Sequence, residues 1–443
     1  MAAGERYLAY LASLKTDFTK IAKLEFLNPD GSIAFALDND PKNKRSGAFL
    51  QDGEISCNLK NGTRRQASVT LSNLDGNFDF AVNHVWYGTQ LRLSEGLILP
   101  DGTEYYIPQG VFEIEQPNER FSPTGNTVTW RLLDKWSMLD GTLGGNLEGA
   151  YSISAGTNIF SAMASILRLG RFDMANNSPD PIDPVTPIFT NYYNGKTQTL
   201  TDGTTVNLTD APHDFLSGAD ESLGDVLTGL ADMLAAWIGY NAVGRLVVDP
   251  SQDDIADLTK PVLWDFSEDE KQLLHVQYTA NKSEVYNDLI VVGDTDDAGA
   301  TARGRVQNRD VASDTCISRI GLKTQRIHMA DYYSDKICQD YAEWKLKRSA
   351  VLQKTVDIEC SQMFHIAENC IVTIRRDDKP GSPVERHVVQ GWTRPIGQTG
   401  SMIINAVSVM DYPEITKIIE NASAENAIAG LAIAGVAVVG TSA

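Results

Sequence analysis

The sequence predicts a β-rich α+β chain: two antiparallel β-barrel domains with an α/β insertion between them and a C-terminal apolar helix. Three observations predict it. Short alternating strands separated by turn residues fill residues 20–135 and return from about 261. One helix of unbroken amphipathic spacing stands between the two strand-rich regions. The end of the chain, AIAGLAIAGVAVVG from Ala427 to Gly440, carries no polar side chain. The domains are placed at 1–145 (first β domain), 146–260 (α/β insertion), 261–410 (second β domain, with a helix at about 329–346) and 411–443 (helical, apolar tail).

Glu5 to Phe18 sets Tyr7, Leu8, Leu11, Leu14 and Phe18 on one helical face, an amphipathic opening helix. KLEFL and SIAFAL flank the turn Asn28-Pro29-Asp30-Gly31, and Asn61-Gly62 leads into RQASVTLS, where Ala67, Val69 and Leu71 alternate with polar residues. QLRLSEGL, EYYIP, GVFEIEQ and TVTWRLL continue the strands, punctuated by Pro100-Asp101-Gly102 and Pro123-Thr124-Gly125. Past Asn146 the texture changes. A helix is read from about Asn158 to Leu169, then a loop broken by Pro179, Pro181, Pro184 and Pro187, then a surface hairpin tipped by Asp202-Gly203.

SLGDVLTGLADMLAAWIGY follows. Ser222 and Asp225 have the spacing of a capping box, with Asp as a shorter variant of Glu. Leu223, Val226, Leu227, Leu230, Met233, Leu234 and Trp237 keep the helical spacing, and the helix runs into a hairpin turning near Ala242-Val243-Gly244. One apolar face laid on a small sheet is the expected packing. PVLWDF, LLHVQYT and NDLIVVG then read as strands, with a helix from Met329 to Leu346 presenting Tyr333, Ile337, Cys338, Tyr341 and Ala342. KTVDIEC places Val356, Ile358 and Cys360 on one face; CIVTIRR, RHVVQGWTR and SMIINAVSV follow as hairpin-linked strands. A closing helix is expected to begin near Pro413.

Composition narrows the function. Fifty-eight acids against 38 bases leave a formal charge of −20, which repels phosphate backbones and argues against nucleic-acid wrapping through a basic surface. Between Thr201 and Lys260 eleven acids face only Arg245 and Lys260. The five cysteines, 57, 316, 338, 360 and 370, form no CxxC and are read as reduced, mostly buried thiols. MAAGERYLAY lacks the basic start and apolar run of a signal peptide.

Patterns for chemistry are mostly missing. There is no GxSxG and no HExxH. Gly224 to Gly229 imitates a phosphate loop, but Leu230 stands where the lysine should be and the segment lies within the amphipathic helix. GDTDDAG orders Asp294, Asp296 and Gly299 as a calcium loop would, yet Ala298 and Arg305 occupy two ligand positions. In NLDGNFD, Asn73, Asp75, Asn77 and Asp79 alternate but the glycine comes early; both runs read as plain turns. Cys360, His365 and Cys370 are evenly spaced without a fourth ligand nearby, and Cys360 belongs to a strand face, so a packed thiol is preferred to zinc. Tryptophans at 86, 130, 136, 237, 264, 344 and 392 could stack on sugars, although Trp130 and Trp237 lie on apolar faces and read as core. No catalytic residue, cofactor or metal is expected, and no enzymatic activity.

ESLGDVLTGLADMLAAWIGYNAVGRLVVDP, then SEVYNDLIVVGD with the long Tyr-rich helix and the paired strands ending in IINAVSV, preceded by RRQASVTLSN and YYIPQGVFEIE, resemble in their order the baseplate hub (tail hub) proteins of long-tailed bacteriophages and related contractile injection systems. The resemblance covers about residues 20 to 410 and rests on element order and hydrophobic texture. It implies that the two β domains are tail-tube-like and that three chains form a ring with pseudo-sixfold symmetry, joining a sixfold tail tube to a threefold spike or tip and letting DNA pass. Implied partners are two further copies in a homotrimer, the tail tube or distal tail protein, the spike or tip protein and the tape measure protein, in a virion tail assembled in the host cytoplasm. The negative charge then suits a lumen that does not retain DNA, without sequence-specific nucleic-acid binding. Some hubs carry a peptidoglycan-degrading domain after the core; with about thirty residues following it here, none is expected. The alternative is a tail-associated carbohydrate-binding or glycan-cleaving protein that contacts the receptor, marked by exposed tryptophans beside paired carboxylates.

The apolar end fits this frame. Fourteen helical residues reach about 21 Å, short of a ~30 Å hydrocarbon core. Gly430, Gly435 and Gly440 recur among Ala and Val, leaving small-residue surfaces for close helix approach. Ile428, Leu431, Ile433, Val436, Val438 and Val439 are the candidate partner-binding residues, with membrane contact reserved for infection.

Overall fold

The computed structural model describes residues 3–16, 18–28, 31–39, 48–79, 88–123, 125–169, 193–199, 205–211, 214–218, 220–234, 236–250, 261–266, 272–280, 282–295, 301–329, 335–352, 354–376, 381, 383–396, 400–409 and 413–418. The opening helix α1 (Ala3–Ser13) precedes seven strands: β1 (Lys20–Leu27), β2 (Ile33–Asp38), β3 (Ala48–Asn58), β4 (Arg65–Asn73), β5 (Gln90–Ile98), β6 (Glu104–Ser122) and β7 (Gly125–Asp134). β1 and β2 pair across the expected turn. EYYIP and GVFEIEQ merge into the single long strand β6. Pro108 is tolerated there because the β5–β6 ladder shifts register between Leu93 and Ser94, opposite it.

The middle segment holds β8 (Ser152–Ile153), α2 (Ile159–Leu169), β9 (Thr197–Thr199), β10 (Thr205–Asn207), β11 (Phe215–Leu216), α3 (Leu223–Met233), β12 (Ala236–Tyr240) and β13 (Leu246–Pro250). The capping box forms: Asp225 N donates to Ser222 Oγ at 3.1 Å, and Ser222 N donates back to Asp225 Oδ2 at 2.9 Å. Val226, Leu227 and Leu230 bury against Met163 and Ile166 of α2 and against Ile238 and Val248 of the β12–β13 hairpin. The expected helix runs too far, however. It ends at Met233, and Trp237 lies half-buried on β12, paired with Asp249. From Ala236 the alternation of Ala236, Ile238 and Tyr240 into the cluster, backed by the β13 ladder, outweighs helical spacing.

After these come β14 (Val262–Asp265), β15 (Leu273–Ala280), β16 (Asp288–Thr295), β17 (Thr301–Asn308), the one-turn α4 (Ile317–Ile320), β18 (Thr324–His328), α5 (Asp335–Ser349), β19 (Lys354–Cys360), β20 (Ile371–Ile374), β21 (Glu385–Pro395), β22 (Met402–Ser408) and β23 (Ile415–Lys417). They divide between two sheets. β18, β16, β17 and β23 form a four-stranded sheet covered by α5, whose Cys338, Ala342 and Leu346 pack on Leu289, Val291 and Val306. Gly304 permits the close approach: a Cβ there would stand 2.4 Å from the Cys338 backbone.

All other strands of this part join the first seven in a 13-stranded sheet of order β15-β19-β22-β21-β3-β4-β7-β6-β5-β1-β2, with β20 on β21 and β14 parallel to β20. The seam is β21 against β3, from Gly391 opposite Asn58 to Pro395 opposite Glu54. Gly391 is required at this crossing, since a Cβ would lie 2.4 Å from the Cys57 carbonyl oxygen. One core runs beneath the seam, with Trp130 and Trp392 fully buried and Tyr10 of α1 and Leu14 just after it closing it.

Two expectations are corrected. The described strands form no closed barrel: the path is open, ending at β15 and at β2, because β3 and β21 pair with each other and carry the sheet from one β region into the next. The chain around Pro413 does not start a helix: β-branched Ile415 and Thr416 find a ready ladder on the free edge of β17 and form β23. The apolar tail, with all six of its candidate residues, lies outside the described residues, as do the proline-rich loop and the tip of the 197–207 hairpin. Among the described residues no helix is long and apolar enough to cross a membrane.

Candidate functional site

Because residues opposite each other in an antiparallel ladder share a face, the register sorts the large sheet into two surfaces. Ile358, Ile404, Trp392 and Cys57 follow one another across four strands on the core face. The next row, Glu359, Ile403, Thr393, Ser56 and Gln66, lies on the opposite face, and so does the row Asp357, Asn405, Gly391 and Asn58. Farther along stand Glu54, Ser68 and Arg131, then Asp52, Thr70 and Thr129. This second face is hydroxyl-, amide- and acid-rich and is tied crosswise. Asn405 Nδ2 donates to Asp357 Oδ1 at 2.7 Å, Ser401 Oγ donates to Glu359 Oε1 at 2.6 Å, and the Thr70 and Thr129 hydroxyls meet at 3.0 Å. It is a continuous polar surface crossing the seam between the two β regions.

Buried charge fixes that seam from behind. Arg394 on β21 donates through Nε to Glu95 Oε2 of β5 at 2.8 Å and through Nη2 to Gln109 of β6. Lys20 of β1 stands 3.2 Å from the other Glu95 oxygen. Burial draws the Lys20 amine down to about 8 against the pull of Glu95. Arg65 holds Glu368, which precedes β20, and Arg64 Nη1 donates to Asp249 Oδ2 of β13 at 2.9 Å. Burial pushes the Glu368 carboxyl up, but Arg65 and Arg64 outweigh it and hold the group below the ordinary range. Asp134, buried at the end of β7, is pushed up to about 7 by burial although Arg65 N and Trp136 N both donate to it. One network thus binds the first β strands, the insertion and the last β strands into a single arrangement.

A second clamp holds α1. Phe364 N donates to the Tyr10 hydroxyl at 3.0 Å, and Tyr10 in turn meets His365 Nδ1 at 3.0 Å. The His365 ring lies against Tyr7, Tyr10 and Trp264, and burial, with the charge of Arg394, lowers it to about 4.

Most of the remaining sequence candidates that lie among the described residues serve packing or turns. Cys360 and Cys370 are buried and His365 belongs to the α1 clamp; among the described residues no group of three or more His, Cys, Asp or Glu side chains could hold a metal. Asn73 Nδ2 donates to Asp79 Oδ1 at 2.7 Å and Phe78 N to Asn73 Oδ1, a turn closed on itself. The GDTDDAG loop lies largely outside the described residues. Gly224 sits in α3 against Trp136, and Gly229 against Phe215. Trp130, Trp136, Trp264 and Trp392 are buried, so none of these four offers a sugar-stacking platform. Sequence reasoning missed the buried arginines: in RRQASVTLSN the pair Arg64-Arg65 looks like an exposed strand start, and nothing local marks Arg394 as its neighbour.

No protein-family model matches the chain, and no curated protein matches it in sequence. Among solved structures it is similar to the tail protein from Neisseria meningitidis MC58, with TM-score 0.54 and 9% identity over 88% of this chain and 96% of that one. It is also similar to the 43 kDa tail protein of prophage MuSo2 from Shewanella oneidensis, with TM-score 0.50 and 10% identity over 87% of this chain and 98% of that one. The chain therefore shares the fold of these two tail proteins along nearly the whole of each, and the resemblance drawn from element order holds at the level of the fold.

Proposed function

We propose that the chain is the structural hub of a phage tail tip or baseplate. In this reading three copies form a ring whose polar sheet faces line a channel, joining a sixfold tail tube to a threefold spike or tip and letting DNA pass. The observation that carries it is the single open sheet crossing two β regions, with one face packed and the other polar, in a fold shared with two tail proteins. The main path of the sheet ends on β15 and β2, and a heterologous contact repeated around a ring would satisfy both of these edges. Asp52, Glu54, Asp357 and Glu359 give the polar face the sign that lets a polyanion slide rather than stick.

Residues 1–145 and 261–410 act as the two tube-like modules, 146–260 as the insertion between them, and 411–443 as a tail that docks on partners through Ile428, Leu431, Ile433, Val436, Val438 and Val439. The partners are the tail tube or distal tail protein, the spike or tip protein and the tape measure protein, and the role is structural rather than enzymatic. Electron-microscopic imaging of the purified protein tests the ring. A threefold particle with a central channel wide enough for duplex DNA is expected; a stable monomer that binds glycans would overturn it in favour of a receptor-contact protein. Truncation after Glu420 tests the tail, whose docking role fails if ring formation and spike or tube binding are both unchanged.

A further inference from the structure

The four-stranded sheet β18-β16-β17-β23 has a second face, turned away from α5. The register sets its rows: Thr324, Asp288 and Gln307; then Arg326, Ile290 and Arg305; then His328, Val292 and Arg303. Hydrogen bonds link the rows across this face. Arg305 donates through Nε and Nη2 to the two Asp288 oxygens at 2.9 and 3.0 Å. Gln307 Nε2 donates to Asp288 Oδ1 at 2.9 Å, and Thr324 Oγ1 donates to Asp288 Oδ2 at 2.6 Å. Arg309 follows just past the end of β17 and donates through Nε to Gln307 Oε1 at 2.8 Å. The sign of this face is opposite to that of the chain. Arginines 303, 305, 309 and 326 stand with one carboxylate, Asp288, among the described side chains of the rows, in a protein of net charge −20. That carboxylate is used within the face. Burial pushes the Asp288 carboxyl up, but the bonds from Arg305, Thr324 and Gln307 outweigh it and hold the group below the ordinary range. Arg303 and Arg326 are exposed, and Ile290 lies half-buried between Arg305 and Arg326. An apolar centre framed by guanidinium groups is the composition of a protein interface. Two acids mark the borders: Asp335, which accepts from Arg303 N at 2.7 Å, and the exposed Glu414 just before β23.

The chain itself carries the complementary surface. From Asp214 to Asp232 the insertion holds five acids, Asp214, Asp220, Glu221, Asp225 and Asp232, and no base. All but the half-buried Glu221 are exposed, and Leu216 is exposed among them. Within one chain the two surfaces point apart. Lys345 of α5 acts on Asp232, which places the end of α3 beside α5, whereas the basic face lies on the far side of the sheet that α5 covers. A contact between them joins one copy to the next and is heterologous, the kind of contact that closes into a ring. We propose that the basic face of the four-stranded sheet docks the acidic insertion of a second copy of this chain. The proposal rests on the ring reading for the identity of the partner. Nucleic acid is the other ligand of matching sign, and the net charge of −20 disfavours it.

Sedimentation of the purified full-length chain over a dilution series, at about 50 and about 500 mM sodium chloride, is the test. The salt step screens exposed charges and is expected to weaken association about tenfold or more. Arg326→Glu, on the edge strand β18, keeps the parent thermal midpoint and raises the dissociation constant about tenfold at the lower salt. Asp220→Lys does the same from the opposite surface. The two substitutions in one chain recover part of the loss, because each copy presents both altered surfaces to its neighbours. Association unchanged by salt or by either single variant, or no recovery in the double variant, overturns the proposal and leaves the ring to other contacts. A chain that is monomeric under every condition overturns this proposal and the hub reading together. A short DNA duplex that binds the parent at the lower salt and fails to bind Arg326→Glu overturns it in favour of a nucleic-acid surface.

Discussion

Glu368 shows what a single residue does in this molecule. It sits between two buried guanidinium groups, and its loss leaves Arg65 without its carboxylate in a place water does not reach. Glu368→Gln is therefore expected to destabilise the chain by about 3–5 kcal/mol, measured by urea unfolding; a loss under about 1 kcal/mol would mean that the seam does not depend on this network. His365 makes a pH prediction with a definite sign. Burial and Arg394 lower its pKa from 6.5 to about 4, so the folded state disfavours the proton that the unfolded chain accepts. Its contribution to stability is present above pH 6.5 and is lost as the pH falls towards 4. His387, also lowered to about 4 by burial, has the same sign. Asp134, raised to about 7, has the opposite slope, its stabilisation being lost as pH rises through 7. A comparison of His365→Gln with the parent chain isolates the histidine: the acid-side loss between pH 6.5 and 4 shrinks in the variant, and an unchanged slope would contradict the assignment.

At the scale of elements, α3 and the seam make contrasting predictions. Ser222→Ala removes the side-chain acceptor of the capping box and is expected to lower stability by about 1 kcal/mol. Gly391→Ala drives a methyl into the Cys57 carbonyl and is expected to lose about 1–3 kcal/mol by overpacking, with the loss felt in both β regions at once. Near-parent thermal midpoints would refute either prediction. Legibility differs in the same way. The start of α3 was readable because the cap and the apolar spacing agree locally; its end was not, because Leu234 and Trp237 satisfy helical spacing while Ile238 and Tyr240 satisfy strand alternation. The hairpins 20–38, 236–250 and 385–408 were readable from alternation and turn residues. The pairing of Asn58 with Gly391 was not, since nothing local in sequence records a partner so distant, and two closed barrels were expected where one open sheet exists. The candidate site suffered likewise: its polar rows were legible strand by strand, but their continuity across the seam and the burial of Arg64, Arg65 and Arg394 depend on contacts between remote segments.

For the whole molecule, the sheet and the charge are what support the proposed ring. The main path of the sheet ends at β2 and β15, where Ile33 and Leu274 are exposed on strands that pair on one side only among the described residues, an arrangement that invites another strand. In the proposed ring, repetition would fill those end strands and turn the acidic, hydroxyl-rich face towards a common axis. In that proposed ring, the net charge of −20 would keep the surface from holding a polyanion moving past it. The most direct test of this account is the mass of the purified protein in solution by light scattering across a concentration series. The account predicts a stable particle of three times 48.5 kDa; a single 48.5 kDa chain persisting at every concentration would contradict it.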